Sequence, residues 1–224
     1  MKKGLTCIVA ILDKSGSMAD VRYDALGGIN TFIEDQKKAP GEAIFTLVLF
    51  DTTVKTIYDQ VDIKLARTLT ESEYIPSNGT ALLKAISDTV DFTGAKLAAM
   101  KEEDRPEKVI VCVVTDGQEN SSNLYSNIEY DKWCHYPTQT TLIYTKAKLN
   151  EKIKHQEEVY NWKFVYLSAD NNAFVDAQGM GFSPSMTRLY SAANTADTYK
   201  SISDAICTYR STGQIDQNDL DKVK

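Results

Sequence analysis

Two uninterrupted apolar runs, Leu5 to Leu12 and the VIVCVV stretch within Lys108 to Thr115, each lead directly into an aspartate, Asp13 and Asp116. That arrangement restricts the possible folds more than any other feature of the chain. Runs this rich in β-branched residues, with no polar alternation, read as strands covered on both faces. Between and after them the period changes. From Ala19 to Lys38, Val21, Ala25, Ile29, Phe32 and Ile33 recur at helical spacing, which predicts an amphipathic helix ending before Pro40-Gly41. Ala43 to Phe50 and Val54 to Ile63 are β-biased and separated only by Asp51-Thr52-Thr53, so a hairpin places one antiparallel strand at the sheet edge.

Leu69 to Ser77 reads as an irregular approach to Asn78-Gly79-Thr80, after which Leu82, Ala85, Ile86, Thr89, Val90 and Leu97 mark a second long helix. Residues 121–140 are polar and aromatic without a clear period, and Thr141 to Val159 predicts a charged, solvent-facing helix. Trp162 to Ser168 reads as a strand, followed by a short helix through Phe174, Val175 and Gly179. Met186 to Tyr190 reads as an edge strand, and Thr198 to Tyr209 as a closing helix with Tyr199, Ile202, Ile206 and Tyr209 inward. Strands alternating with helices imply an α/β fold: a Rossmann-like three-layer sandwich, with a mainly parallel central sheet, one antiparallel edge strand and helices on both faces. One domain is expected over 1–211, with a polar tail over 212–224 that frays.

At 224 residues and 42% apolar content, the chain can bury one sizeable core. Acidic residues outnumber basic ones by 31 to 25, and no run of lysine or arginine exceeds two, so nucleic acid is not an expected partner. The four cysteines, Cys7, Cys112, Cys134 and Cys207, are widely spaced, which fits a reducing compartment. The apolar stretch after Lys2-Lys3 ends at Asp13 and has no small-residue cleavage site, so it reads as a strand and not as a signal peptide. No segment approaches the roughly 20 apolar residues that cross a bilayer. A cytoplasmic setting without a membrane partner is therefore expected.

In open α/β sheets, ligands bind at the carboxyl ends of the strands, near the point where strand order reverses. Asp13-Lys14-Ser15-Gly16-Ser17 and Asp116 both fall at such ends, and Thr80 stands at the mouth of the second helix. Two carboxylates and three hydroxyls form an oxygen-only donor set suited to a small hard cation, Mg²⁺ or Mn²⁺. A cation would also relieve the repulsion between the two acids. With few negative ligands it would stay electrophilic enough to accept an anionic group from outside.

DKSGSM at 13–18 resembles the DxSxS signature of von Willebrand factor A domains. NGTALLKAI at 78–86 resembles that family's threonine loop and VVTDGQEN at 113–120 its TDG motif. The likeness continues through WKFVYLSADNNAF at 162–174. Three motifs in one order on the right elements form a specific signal, and the whole resembles a stand-alone bacterial or phage-type member. The resemblance implies a metal-ion-dependent adhesion site. Ser15, Ser17 and Thr80 would coordinate the cation, Asp13 and Asp116 would act directly or through water, and an Asp or Glu of a partner protein would complete the shell. Asn78 departs from the family's frequent glycine, and Lys84 stands where an acidic residue is common. Some bacterial relatives work with a AAA+ ATPase, which gives a second class of partner.

Plainer readings compete with these. Ser15 and Ser17 could cap the following helix, and Asp116-Gly117 could be an ordinary turn. Glu119 and Asn120 are expected to support the site or touch a partner. Cys134-His135 has no second Cys/His pair at ligand spacing, so zinc is not expected. Tyr125, Tyr130, Trp133, Tyr136 and Tyr144 either cover a small core of their own within an insertion, the favoured reading, or form a recognition surface beside the metal. A Mg²⁺-dependent phosphohydrolase would need a nucleophile, a general base or phosphate-cradling groups. The chain carries no P-loop, no nucleophile elbow and no paired DxD beside the motifs, where the only obvious cations are Lys14 and Lys84. A binding module, not an enzyme, is the expected function.

Overall fold

The computed structural model describes residues 1–130, 137–170, 172–191 and 195–221. Along the chain run β1 (Lys2–Asp13), α1 (Arg22–Lys38), β2 (Glu42–Phe50), β3 (Val54–Asp62), α2 (Leu82–Ala99), β4 (Pro106–Thr115), β5 (Ser126–Tyr130), β6 (Pro137–Leu142), α3 (Lys146–Tyr160), β7 (Lys163–Ser168), α4 (Ala173–Met180), β8 (Thr187–Leu189), α5 (Thr195–Thr212) and α6 (Gln217–Leu220). Six strands form one sheet in the order β3-β2-β1-β4-β7-β8. Every pairing is parallel except that of β2 with β3, which is the expected antiparallel edge.

Successive residues of a strand point to opposite faces, and both faces of the central strands are apolar. Ile8, Ala10 and Leu12 of β1 join Ile110, Cys112 and Val114 of β4 in a core under α1 and α5. Cys7, Val9 and Ile11 join Val109, Val111 and Val113 in a second core under α2 and α3. Alternation of polarity therefore cannot set the register of β1. Its ends do, with Lys2 and Lys3 exposed at one and Asp13 at the other. Helices α1 and α5 approach closely at Gly28, where a Cβ would fall 2.4 Å from the Tyr199 ring. Among the described residues, no helix is long and apolar enough to cross a membrane.

The structure corrects several sequence expectations. The helix expected from Ala19 is preceded by a short 3-10 turn, Gly16–Ala19, and begins at Arg22. The stretch 121–140, which shows no period, contributes a separate two-stranded sheet in which β5 pairs antiparallel with β6. That strand runs to Leu142, so α3 starts at Lys146 and not at Thr141. The Thr145 hydroxyl marks the start by accepting the Lys148 amide hydrogen at 3.2 Å. The tail expected to fray is also ordered at its core: α5 continues to Thr212, Leu220 of α6 is fully buried, and the Thr208 hydroxyl donates to Asp219 at 2.9 Å. Leu220 and the partly buried Ile215 anchor it against the core under α1 and α5.

Candidate metal centre

The order of the sheet reverses between β1 and β4, the two strands that carry the acids. Asp13 ends β1, and Asp116 directly follows β4. The Asp13 carboxylate is completely buried. One of its oxygens accepts the Ser15 amide hydrogen at 2.7 Å, and the other accepts the Thr115 hydroxyl at 2.5 Å. The Ser15 and Ser17 hydroxyls are 3.1 Å apart, and Ser17 donates to Asp116 at 2.8 Å. A Cβ placed on Gly117 would lie 3.6 Å from both Ser17 Oγ and Thr80 Oγ1, so these two hydroxyls face the same spot. The structure thus gathers Asp13, Ser15, Ser17, Thr80 and Asp116 at one crevice.

The capping alternative for Ser15 is not realised: it precedes the 3-10 turn, but its hydroxyl makes no capping bond. Thr80 is held from its own backbone outward. Its amide donates to Asn120 Oδ1 at 2.8 Å, and its carbonyl accepts from the amides of Asn120 and Ser121. Asn78 adopts a left-handed conformation, φ 61°, which asparagine tolerates better than most residues, and this explains its place where glycine is frequent. Its carbonyl accepts the Gly16 amide hydrogen at 2.9 Å, joining the threonine loop to the loop after β1. Glu119 is a structural support: its carboxylate accepts the amides of Leu83, Ser121 and Ser122.

Burial pushes the Asp13 carboxyl up to about 6, against the hydrogen bonds from Thr115 and Ser15 that favour its charge, and the neighbouring Asp116 pushes the same way. Burial also raises Asp116, outweighing its bond from Ser17. Both acids are uncomfortable as anions without a cation, which is the electrostatic condition a metal relieves. All donors are oxygen, so the set fits a hard ion. Among the described residues no three His, Cys, Asp or Glu side chains cluster as a metal site, and an ion here would depend on the hydroxyls as much as on the acids. Crevice access is one-sided: Ser17 is exposed and Asp116 half-buried, while Asp13, Ser15 and Thr80 are buried.

Neither lysine near the motifs is free. Lys14 pairs with buried Asp51, and Lys84 pairs with Asp88 while lying 4.6 Å from the centre of the Tyr125 ring. Tyr125 and Tyr144 pack edge to face, 6.3 Å apart, and they lie against the main domain, Tyr144 on the core under α2 and α3 and Tyr125 on the Thr52 carbonyl, not in a separate core of their own. The side chains of Tyr130, Trp133, Cys134, His135 and Tyr136 lie outside the described residues. Sequence reasoning missed Thr115, Asp51 and Tyr74, whose hydroxyl donates to the Asp13 carbonyl at 2.6 Å. Of these, only Thr115 had a local signal, its position immediately before Asp116.

Solved structures of the von Willebrand factor A fold match this architecture. The von Willebrand factor domain of the type V pili tip protein Mfa5 from Porphyromonas gingivalis aligns with a TM-score of 0.61 at 12% identity, covering 94% of this chain and 98% of that one. The manganese-loaded TRAP protein of Plasmodium vivax aligns at 0.56 and 13% identity, over 88% of this chain and 72% of that one. A von Willebrand factor type A protein from Catenulispora acidiphila aligns at 0.58 and 13% identity over 89% of this chain. The chain spans only 42% of the Catenulispora protein's length. No family model and no curated protein sequence matches the chain.

Proposed function

We propose that the protein is a divalent-cation-dependent protein-binding module. A Mg²⁺ or Mn²⁺ ion would be held by Ser15, Ser17 and Thr80, with Asp13 and Asp116 supplying charge directly or through water. A carboxylate of a partner protein would complete the coordination. The observation that carries this reading is the convergence of three hydroxyls and two carboxylates, with Ser17 Oγ 2.8 Å from Asp116 and 3.1 Å from Ser15 Oγ. Asp13 already spends a lone pair of each oxygen on Ser15 and Thr115, which favours an indirect role for it. When bound, the ion supplies Lewis acidity toward an oxygen anion. The solvent-facing Ser17 and Asp116 leave a side from which that anion can approach. The manganese-loaded neighbour, TRAP, supports a divalent ion in this fold.

The engagement of both Lys14 and Lys84 in ion pairs supports binding over phosphoryl hydrolysis, because neither is available to cradle a phosphate. A cytoplasmic setting is part of the same proposal, supported by the free thiols of Cys7, Cys112 and Cys207. Nothing among the described residues favours an ATPase over another protein partner.

The test is calorimetric titration of metal-stripped protein with Mg²⁺ and Mn²⁺, alongside Asp116→Ala and Ser15→Ala. One-site binding in wild type and its loss in both variants is expected. Metal binding that survives in both variants would move the site elsewhere. Capture of carboxylate-bearing partners that persists in chelator would remove the metal from recognition.

A further inference from the structure

The five candidate ligands project from three separate segments, the loop after β1, the threonine loop and the turn after β4, yet the residue that joins the first two is none of them. Asp51 stands in the β2–β3 turn, is 2% exposed, and among the described residues makes no hydrogen bond to any candidate ligand. Its Oδ1 accepts the Thr53 amide at 2.7 Å and the Thr53 hydroxyl at 2.8 Å, which fixes its own turn. Its Oδ2 accepts from Lys14 Nζ, from the Ser77 hydroxyl at 2.9 Å and from Asn78 Nδ2 at 3.2 Å. Its main-chain carbonyl accepts the Ala81 amide hydrogen at 2.8 Å.

Each of these partners is next to, or close to, a ligand. Lys14 lies between Asp13 and Ser15. Asn78 and Ala81 lie on either side of Thr80, one bound by the Asp51 carboxylate and the other by its carbonyl. The two loops are also bonded to each other, Gly16 N–H to the Asn78 carbonyl and Ser77 N–H to the Lys14 carbonyl, both at 2.9 Å. Tyr125, beyond the third segment, donates its hydroxyl to the Thr52 carbonyl at 2.5 Å, so that the same turn is also touched from the β4 side.

We infer that Asp51 is a positioning residue for the candidate metal centre, setting the separation of the Ser15 and Thr80 hydroxyls through Lys14, Ser77, Asn78 and Ala81. The inference rests on the metal reading for its consequence but not for its geometry. Lys14 thereby neutralises a third buried carboxylate and keeps that carboxylate engaged outside the crevice. The Asp51 carboxylate is held well below the usual carboxylate range, because the bonds from Lys14, Thr53 and Ser77 outweigh the upward push of burial.

Asp51→Asn keeps the side chain's shape and removes its charge, and Ser77→Ala cuts a single tie and leaves the ion pair intact. Two readouts separate the inference from the function it rests on. In the metal-free protein, hydrogen exchange at the Gly16, Ser77 and Ala81 amides is expected to speed up together, by about tenfold or more, in Asp51→Asn, and in the same direction but less in Ser77→Ala. Exchange that quickens only at Thr53 in both variants overturns the inference. In the loaded protein, Mn²⁺ affinity is expected to fall by about 10- to 100-fold in Asp51→Asn, the range for residues that orient metal ligands. Unchanged Mn²⁺ affinity in a folded Asp51→Asn variant also overturns it. If wild type takes up no Mn²⁺, the proposed function fails, and the exchange readout alone decides whether Asp51 sets the loops.

Discussion

Two carboxylates flank Thr80 without belonging to the crevice, and they are kept in place by different means. Asp51 approaches from the β2–β3 side, is buried, and is neutralised by a full positive charge on Lys14. Glu119 approaches from the β4 side and, among the described residues, forms no ion pair. It accepts the Leu83 amide in the first turn of α2 at 2.7 Å, and the Ser122 hydroxyl at 2.7 Å. Ser122 Oγ in turn accepts the Lys84 amide hydrogen at 3.0 Å. Since Ala81 offers α2 no side-chain cap, Glu119 and Ser122 cap the helix from a distance, and the positive end of the helix dipole replaces a counterion. A negative charge beside the proposed dication site must be cancelled or be turned aside. Buried Asp51 has a partner charge, and half-buried Glu119 is satisfied by amides and a hydroxyl.

That contrast can be broken most sharply at Lys14. Lys14→Met leaves Asp51 buried without a counterion, and although its other hydrogen bonds remain, a loss of about 3 kcal/mol in urea unfolding is expected. A loss below about 0.5 kcal/mol, the range of ordinary surface changes, would make Lys14 an incidental surface group. Glu119→Gln should do less, about 1–2 kcal/mol, because a neutral amide oxygen still accepts from part of the helix end. If Glu119→Gln proved the more damaging of the two in the same unfolding measurement, the distinction drawn between charge and amides would be inverted.

The smallest effect concerns pH. Asp51 is depressed in the folded chain, so the stability its charge contributes is present above the ordinary value of 3.8 and is lost as pH falls below it. The stability gap between wild type and Asp51→Asn is expected to hold constant from neutral pH down to about 5 and to narrow below about 4. Acid titrations of both proteins followed by circular dichroism measure it, and a gap that widens with acid would contradict the assigned sign.

The parts of this arrangement that could be read from the sequence are those whose signal is local. Leu5 to Leu12 and Val109 to Val114 announce buried strands because no charged residue interrupts them, and Asp13 and Asp116 are conspicuous as the first charges after each. Asp51 carries no such mark. Its partner Lys14 is 37 positions away and reaches it through the pairing of β1 with β2, while Ser77, 26 positions away, arrives on the loop before α2. The β5–β6 pair escaped for a different reason: Thr-Gln-Thr-Thr in β6 has no apolar alternation from which a strand could be inferred. By contrast, the start of α3 was readable in principle, since Thr145 is an N-cap residue type three positions before Lys148. The charged periodicity beyond it obscured where the helix begins.

The threonine loop has a consequence for anyone who would redesign it. A Cβ at Gly79 would fall 2.3 Å from Ser121 Oγ and 2.7 Å from Asn120 Oδ1. Those atoms cannot move aside cheaply, because Ser121 donates to Asn120 and Asn120 holds the Thr80 amide. A library randomised over positions 78–80 and selected for folded protein should therefore return glycine almost alone at 79, and a short list headed by asparagine, glycine and aspartate at 78. Diversity there is filtered by space before any selection for binding begins, so variation intended to change the proposed recognition belongs on the crevice's exposed rim.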